Sequence, residues 1–272
     1  METIKILFIG NRYTYNNNLP LMLKKLAEAG KQEKVETAIS TQLGTESING
    51  ECCKAPAIRG EVDVTSAYKE SIHYLDCDQT LPLNLGNAPN NCIVNTSFEW
   101  HYINPQTRRI LDEDSWNYVV IQDQSLMPVL DRSKTLEFGK QLIDEIRQIG
   151  AEPLLFLTWA RLNISNMQEI LNDTYISLSR MTETQICPVG PAWQLVVDSN
   201  PEIPLHEVDK SYPTAFGTFL SACVFYSTIF DKSPLGLPGT LASDGTILVD
   251  LPENQARYLE SVAWKIKTEF QI

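Results

Sequence analysis

The chain has 272 residues, 43% of them hydrophobic, with 22 Lys and Arg against 34 Asp and Glu. That length and balance suit one large globular domain and exclude a disordered or fibrous chain. A net charge of -12 argues against a broad surface for nucleic acid or anionic lipid, which needs clustered Lys and Arg, while leaving room for a local basic pocket.

The apolar stretch from Ile4 to Ile9 is short and contains Lys5, so no secretory leader is expected, and no apolar run is long enough to span a bilayer. Closed by Gly10, the same stretch reads as a parallel strand buried on both faces. Asn18 as a cap, Pro20 in the first turn, and Leu19, Leu23 and Leu26 at helical spacing predict a helix that ends at Gly30. Lys34 to Thr41 predicts a second strand. From about Thr45 to Ser97 no period holds, and this stretch carries many asparagines and four of the six cysteines. It is expected to be an insertion over one end of the sheet, either a functional lid or an excursion packed by its own side chains.

Alternation resumes with a strand over Tyr118 to Gln122 and a helix presenting Phe138, Leu142, Ile146 and Ile149, stopped at Gly150. A strand over Pro153 to Thr158, a helix over Met167 to Arg180 and a short strand near Ile186 to Val189 follow. Phe219 to Ile229 reads as a buried helix and Ala256 to Phe270 as a terminal one. Strands alternating with amphipathic helices imply right-handed crossovers, hence an α/β three-layer sandwich around a parallel five-stranded sheet in a single domain, 1–272.

Cys52, Cys53, Cys77, Cys92, Cys187 and Cys223 form no CxxC pair, so neither a disulfide framework nor a zinc ribbon is indicated. No HxxxH or HxH spacing offers a metal site, and Gly10 alone is no dinucleotide fingerprint, so neither metal nor cofactor is expected. The chain reads as a reduced, cytoplasmic protein without nucleic-acid or membrane partners. The glycosylation triplets at Asn95, Asn163 and Asn172 would matter only in an exported chain.

Parallel sheets bind ligands beyond the carboxyl ends of their strands. The four tips in question carry Asn11, Arg12, Tyr13 and Thr14, then Ser40 to Gly44, then Gln122 to Ser125, then Thr158 to Arg161. Arg12 places a guanidinium at the centre of this group. A cation at the tip of a buried strand needs an anion or water, so it either serves a ligand or pairs with an acid such as Asp209 or Asp123 in a silent cleft.

Across most of the chain outside the insertion, these residues resemble the SGNH (GDSL-type) hydrolase superfamily. Ile6 to Asn11, with Tyr13, Thr14, Tyr15, Leu19 and Pro20, is similar to the first block of that family, and Gly44 to the glycine of the second. Tyr118 to Ser125 resembles a third block with Gln in place of Asn, and Asp209-Lys210-Ser211-Tyr212-Pro213 the closing Asp-x-x-His-Pro. The resemblance implies a flavodoxin-like sandwich, with Gly44 and Gln124 on the oxyanion side. Where the family carries its nucleophilic serine this chain has Arg12, and where it carries the histidine base it has Tyr212. A guanidinium is no nucleophile and a phenol is a poor base at neutral pH, so the ordinary Ser-His mechanism is unavailable at those positions.

Three functions remain open. A degenerate site would bind an anionic small molecule through Arg12, with Tyr212 and Gln124 beside it and Asn11, Gly44, Asp123 and Trp159 around it. A repurposed isomerase, lyase or cyclase would use Arg12 to hold an oxyanion while Tyr212, Asp209 or Asp123 moves a proton. An ester hydrolase or deacetylase would need a displaced serine, with His206 as the first substitute base and His101 as the second. Thr14 and Ser125 supply hydroxyls near the tips, and Arg161 is either a second anion contact or a surface cation near Asp173.

Overall fold

The computed structural model describes residues 3–31, 34–41 and 96–271. In chain order the elements are β1 Thr3–Gly10, α1 Arg12–Tyr15, a 3-10 turn Asn16–Asn18, α2 Leu19–Ala29, β2 Lys34–Thr41, α3 Phe98–Ile103 and α4 Pro105–Glu113. There follow β3 Tyr118–Ile121, α5 Met127–Leu130, α6 Arg132–Gln148, β4 Glu152–Phe156, α7 Met167–Thr182, β5 Gln185–Cys187 and α8 Val189–Ser199. The chain closes with α9 Ala215–Phe230, the strands β6 Thr240–Ser243 and β7 Thr246–Asp250, and α10 Glu253–Glu269.

Five strands pair in the order β2-β1-β3-β4-β5, all parallel. Alternate residues of one strand feed two separate cores. Ile6, Phe8, Val120, Leu154 and Phe156 pack with α2, α8, α9 and α10. Leu7, Ile9, Val119, Ile121 and Leu155 pack on the other side with α3, α4, α6 and α7. This is the three-layer α/β/α sandwich that the apolar strand runs predict, because strands covered on both faces have no polar side.

The expected helix after β1 forms as read: Asn18 accepts the Leu21 amide, Pro20 lies in the first turn and Gly30 follows the last residue. Gly30 is required by packing, since a side chain there would collide with the Tyr226 phenol of α9. The helix expected around Phe138 to Ile149 is α6, but its buried stripe is Thr135, Gly139, Leu142, Ile143 and Ile146. Ile149 is 37% exposed, because it follows the last helical turn. The helices α3, α4 and α8 and the antiparallel hairpin β6-β7 are added by the structure, although α4 carries a capping Asn104, a proline in its first turn and an apolar stripe on one face. Gly44 and nearly all of the expected insertion lie outside the described residues. No helix among the described residues is long and apolar enough to cross a membrane.

Candidate functional site

The strand order reverses direction between β1 and β3, and the loops beyond such a point form the natural crevice of a parallel sheet. β1 ends on Gly10, where an added Cβ would lie 2.6 Å from Thr14 Oγ1 and 2.7 Å from Gln122 Oε1. Gln122 closes β3 and ties the two tips together. Its Oε1 accepts the Asn11 amide at 3.2 Å and the Thr14 hydroxyl at 3.0 Å. The Asn11 side chain in turn accepts the Tyr13 amide at 2.9 Å, capping α1. Arg12, the first residue of α1, is thereby held at the mouth of the switch point.

A loop from Leu205 to Thr214 crosses from the other side. Asp209 Oδ1 accepts the amides of Ser211 at 2.9 Å and Tyr212 at 3.0 Å, a local turn that allows the positive φ of 65° at Lys210. Asp209 is exposed and turned onto its own loop. Three hydrogen bonds pin this loop to the segment after β4: the Trp159 indole N–H donates to the Ser211 carbonyl at 2.9 Å, His206 Nε2 donates to the Ala160 carbonyl at 3.0 Å, and the Leu162 amide donates to the Lys210 carbonyl at 3.0 Å. On the β1 side, the Tyr13 phenol meets Ser211 Oγ at 2.7 Å and the Asn17 amide donates to the Pro213 carbonyl at 2.8 Å.

The result brings Arg12 and Tyr212 together. The guanidinium carbon sits 4.8 Å from the centre of the Tyr212 ring, a cation-π contact between the two residues that stand where the resemblance puts nucleophile and base. Behind them runs an aromatic stack. Tyr13 lies parallel to Trp159 with ring centres 4.4 Å apart, Trp159 lies on Trp193 at 3.9 Å, and His206 meets Trp193 edge-on at 4.7 Å. Trp159 is therefore a buried wall of the site, 1% exposed.

The remaining expected residues have structural partners. Asp123 is 1% exposed and faces the α3/α6 side. Its Oδ1 accepts the amides of Phe98 and Gln124, and its Oδ2 the Thr135 hydroxyl. Burial pushes this carboxyl up to about 6, against the pull of the Thr135, Phe98 and Gln124 donors. Gln124 Oε1 accepts the amides of Leu126 and Met127 and so caps α5. Ser125 Oγ accepts from the Arg161 guanidinium at 2.8 Å, whereas Asp173 pairs with Arg132.

Both described histidines hold backbone carbonyls. A carbonyl only accepts, so Nε2 carries the proton in each and Nδ1 is the basic nitrogen. His101 is fully buried, with Nε2 on Gly10 O at 3.1 Å and Nδ1 accepting from Thr107 Oγ1 at 3.1 Å. Burial depresses it to about 3. His206 is lowered too, chiefly by burial and against the opposing effects of the Ala160 carbonyl and the Asp209 charge. No serine hydroxyl hydrogen-bonds to either ring among the described residues. Nor do these residues contain a cluster of three His, Cys, Asp or Glu side chains able to hold a metal.

Four functional neighbours were not legible in the sequence as such: Gln122 as the clamp between tips, Tyr13 and Ser211 as a bonded pair, and Trp193 as the second indole of the stack. A polar residue closing an apolar strand is a signal for Gln122. Nothing local marks Tyr13 and Ser211, which are 198 positions apart.

No protein-family model matches the chain, and no curated protein does. Solved structures do resemble it. A DUF4886-family protein of Bacteroides uniformis superposes with a TM-score of 0.64 at 15% identity, over 98% of this chain and 96% of that one. A protein of Slackia heliotrinireducens described as an SGNH hydrolase superposes with a TM-score of 0.55 at 17% identity, over 84% and 100%. This is the SGNH-hydrolase fold. An acetyl xylan esterase shares it at a TM-score of 0.53 and 14% identity, over 83% of this chain and 100% of its own. Within the SGNH fold the tips of β1 and β3 and the loop before α9 are brought together here, and their occupants are Arg12, Gln122 and Tyr212.

Proposed function

We propose that this SGNH-fold protein binds an anionic small molecule at the tip of β1 through Arg12, and does not hydrolyse esters by a Ser-His pair. The observation that carries the reading is the Arg12 guanidinium 4.8 Å over the Tyr212 ring, at the switch point where a parallel sheet takes its ligands. A guanidinium is permanently charged and matches carboxylate or phosphate oxygens with a planar fork of donors. The ring contact orders it before a ligand arrives, which lowers the entropic cost of binding.

The two described histidines, His101 and His206, support the same reading. Each uses its Nε2 proton on a backbone carbonyl, and burial weakens each as a base.

Isothermal titration with acetate, citrate and inorganic phosphate tests the reading. The wild type binds at least one of them saturably, and Arg12→Ala weakens that binding by about tenfold or more, the size of one lost charge-assisted contact. Arg12→Lys, which keeps the charge but loses the fork, falls between. Equal binding by wild type and Arg12→Ala, or turnover of short p-nitrophenyl esters that survives Arg12→Ala and is lost in His206→Ala, would replace this reading with a displaced hydrolase.

A further inference from the structure

A cavity lies beyond the tip of β4, between the loop 159–167, the start of α7 and the outer face of α8. It measures about 590 Å³, within the range of roughly 300–1,000 Å³ typical of small-molecule sites. The Tyr13-Trp159-Trp193 stack separates it from Arg12: Tyr13 is on the β1 side, and Trp159 and Trp193 line the cavity.

Its chemistry differs from that of the β1 tip. The charged side chains on its lining are Arg161 against Glu169 and Asp198, one positive against two negative, so its field does not draw an anion. The rest is hydrogen-bonding and mostly neutral. Gln168 is fully used inside the wall, accepting from the Ala160 amide and donating to Thr158 O and Asn172 Oδ1. That leaves the Asn172 amide hydrogens as donors. His206, with Nε2 committed to Ala160 O, keeps an Nδ1 lone pair as acceptor. On the rim Gln194 donates to Asp198 at 2.7 Å, which leaves the amide oxygen and a second carboxylate oxygen as acceptors. The exposed Leu162 supplies apolar contact, while the two indoles, each 1% exposed, reach the lining only at their edges.

Donors and acceptors interleaved along one wall, with little net charge, match a molecule whose groups are each both donor and acceptor. We infer that this cavity binds a neutral, hydroxyl-rich small molecule of sugar-like chemistry, at a site separate from Arg12. The inference does not depend on the anion reading, because no residue of the cavity is Arg12 or Tyr212.

The test is tryptophan fluorescence, since two indoles line the cavity, with N-acetylglucosamine, xylobiose and glycerol as neutral probes and acetate and phosphate as anionic ones. Binding is expected as a saturable change with at least one neutral probe. A Gln194→Ala/Asp198→Ala double variant, altered at two exposed positions and checked for an unchanged melting temperature, should bind it about tenfold more weakly. Three results would overturn the inference: no saturable response to any neutral probe, a response to the anions alone, or equal affinity in the double variant. A sugar response that vanishes in Arg12→Ala would place the ligand at β1 and equally overturn it.

Discussion

His101 and Asp123 are both buried, and their linkage to pH has opposite signs. His101 stays neutral in the fold down to about pH 3 against an ordinary value of 6.5. The unfolded chain therefore binds the extra proton between those values, and the stability His101 contributes is complete above 6.5 and lost as pH falls. Asp123 holds its proton in the fold up to about 6 against an ordinary 3.8. Its contribution is complete below 3.8 and lost as pH rises through 6. Between about pH 4 and 6 the two slopes, each roughly 1.4 kcal/mol per pH unit, oppose one another. Asp123→Asn removes one of them. Unfolding free energies from urea titrations at pH 4 to 6 should rise with pH about 1.4 kcal/mol per unit more steeply in the variant than in the wild type. Parallel pH profiles would mean that Asp123 is ionised throughout, held so by its three donors.

Among the elements, α9 shows how close packing overrides local propensity. Gly217 lies in its first turn, and an ordinary helical Gly→Ala change gains about 1 kcal/mol. Here the new Cβ would lie 2.6 Å from the Leu205 carbonyl oxygen and against the Trp193 ring. Neither can yield, the first being backbone and the second clamped in the stack. Gly217→Ala should therefore lower stability by roughly 1–3 kcal/mol. Gly139→Ala in α6 meets mainly the tip of Leu178, which can turn, so its loss should be smaller. Thermal melts of the two variants decide the order. The stack itself has an optical signature: Trp159 and Trp193 are 3.9 Å apart and 5° from parallel, close enough for their transitions to couple. Far-UV circular dichroism should show a paired positive and negative band that disappears in Trp193→Phe. Its persistence would show that the indoles do not stack.

At the scale of the whole molecule, the sheet order β2-β1-β3-β4-β5 decides which residues meet. It sets β1 beside β3, so the tips carrying Arg12 and Gln122 meet although 110 positions apart, and it leaves the end of β4 to carry the cavity around Arg161 and His206. With a net charge of -12 the molecule as a whole repels anions, so the binding proposed at Arg12 would rest on close contacts, and added salt would screen the repulsion.

Much of this was legible in the chain itself. Apolar runs closed by glycine or polar residues marked the five parallel strands, because a strand covered on both faces has no polar side to hide its boundaries. The same runs identified their tips, and with them Arg12 and Trp159, whereas Tyr212 and Asp209 came from the resemblance of the closing block to that of SGNH hydrolases. α4 does carry local signals, the capping Asn104, Pro105 in its first turn and the apolar pair Ile110 and Leu111, whereas α3, with six residues, is too short to show a stripe. The sequence by itself determined the fold class and the strand tips, because burial periodicity fixes them, and it put Arg12 at one of those tips; that Arg12 and Tyr212 stand where a nucleophile and a base would be is what the resemblance to SGNH hydrolases implies. Only the tertiary structure decided that Arg12 stacks on Tyr212, that Asp123 and Gln124 cap helices, that His101 and His206 hold carbonyls, and that Tyr13, Trp159 and Trp193 form one stack. Those outcomes depend on hydrogen bonds and ring contacts between residues distant in the chain, and such pairings leave no local pattern for composition or spacing to register.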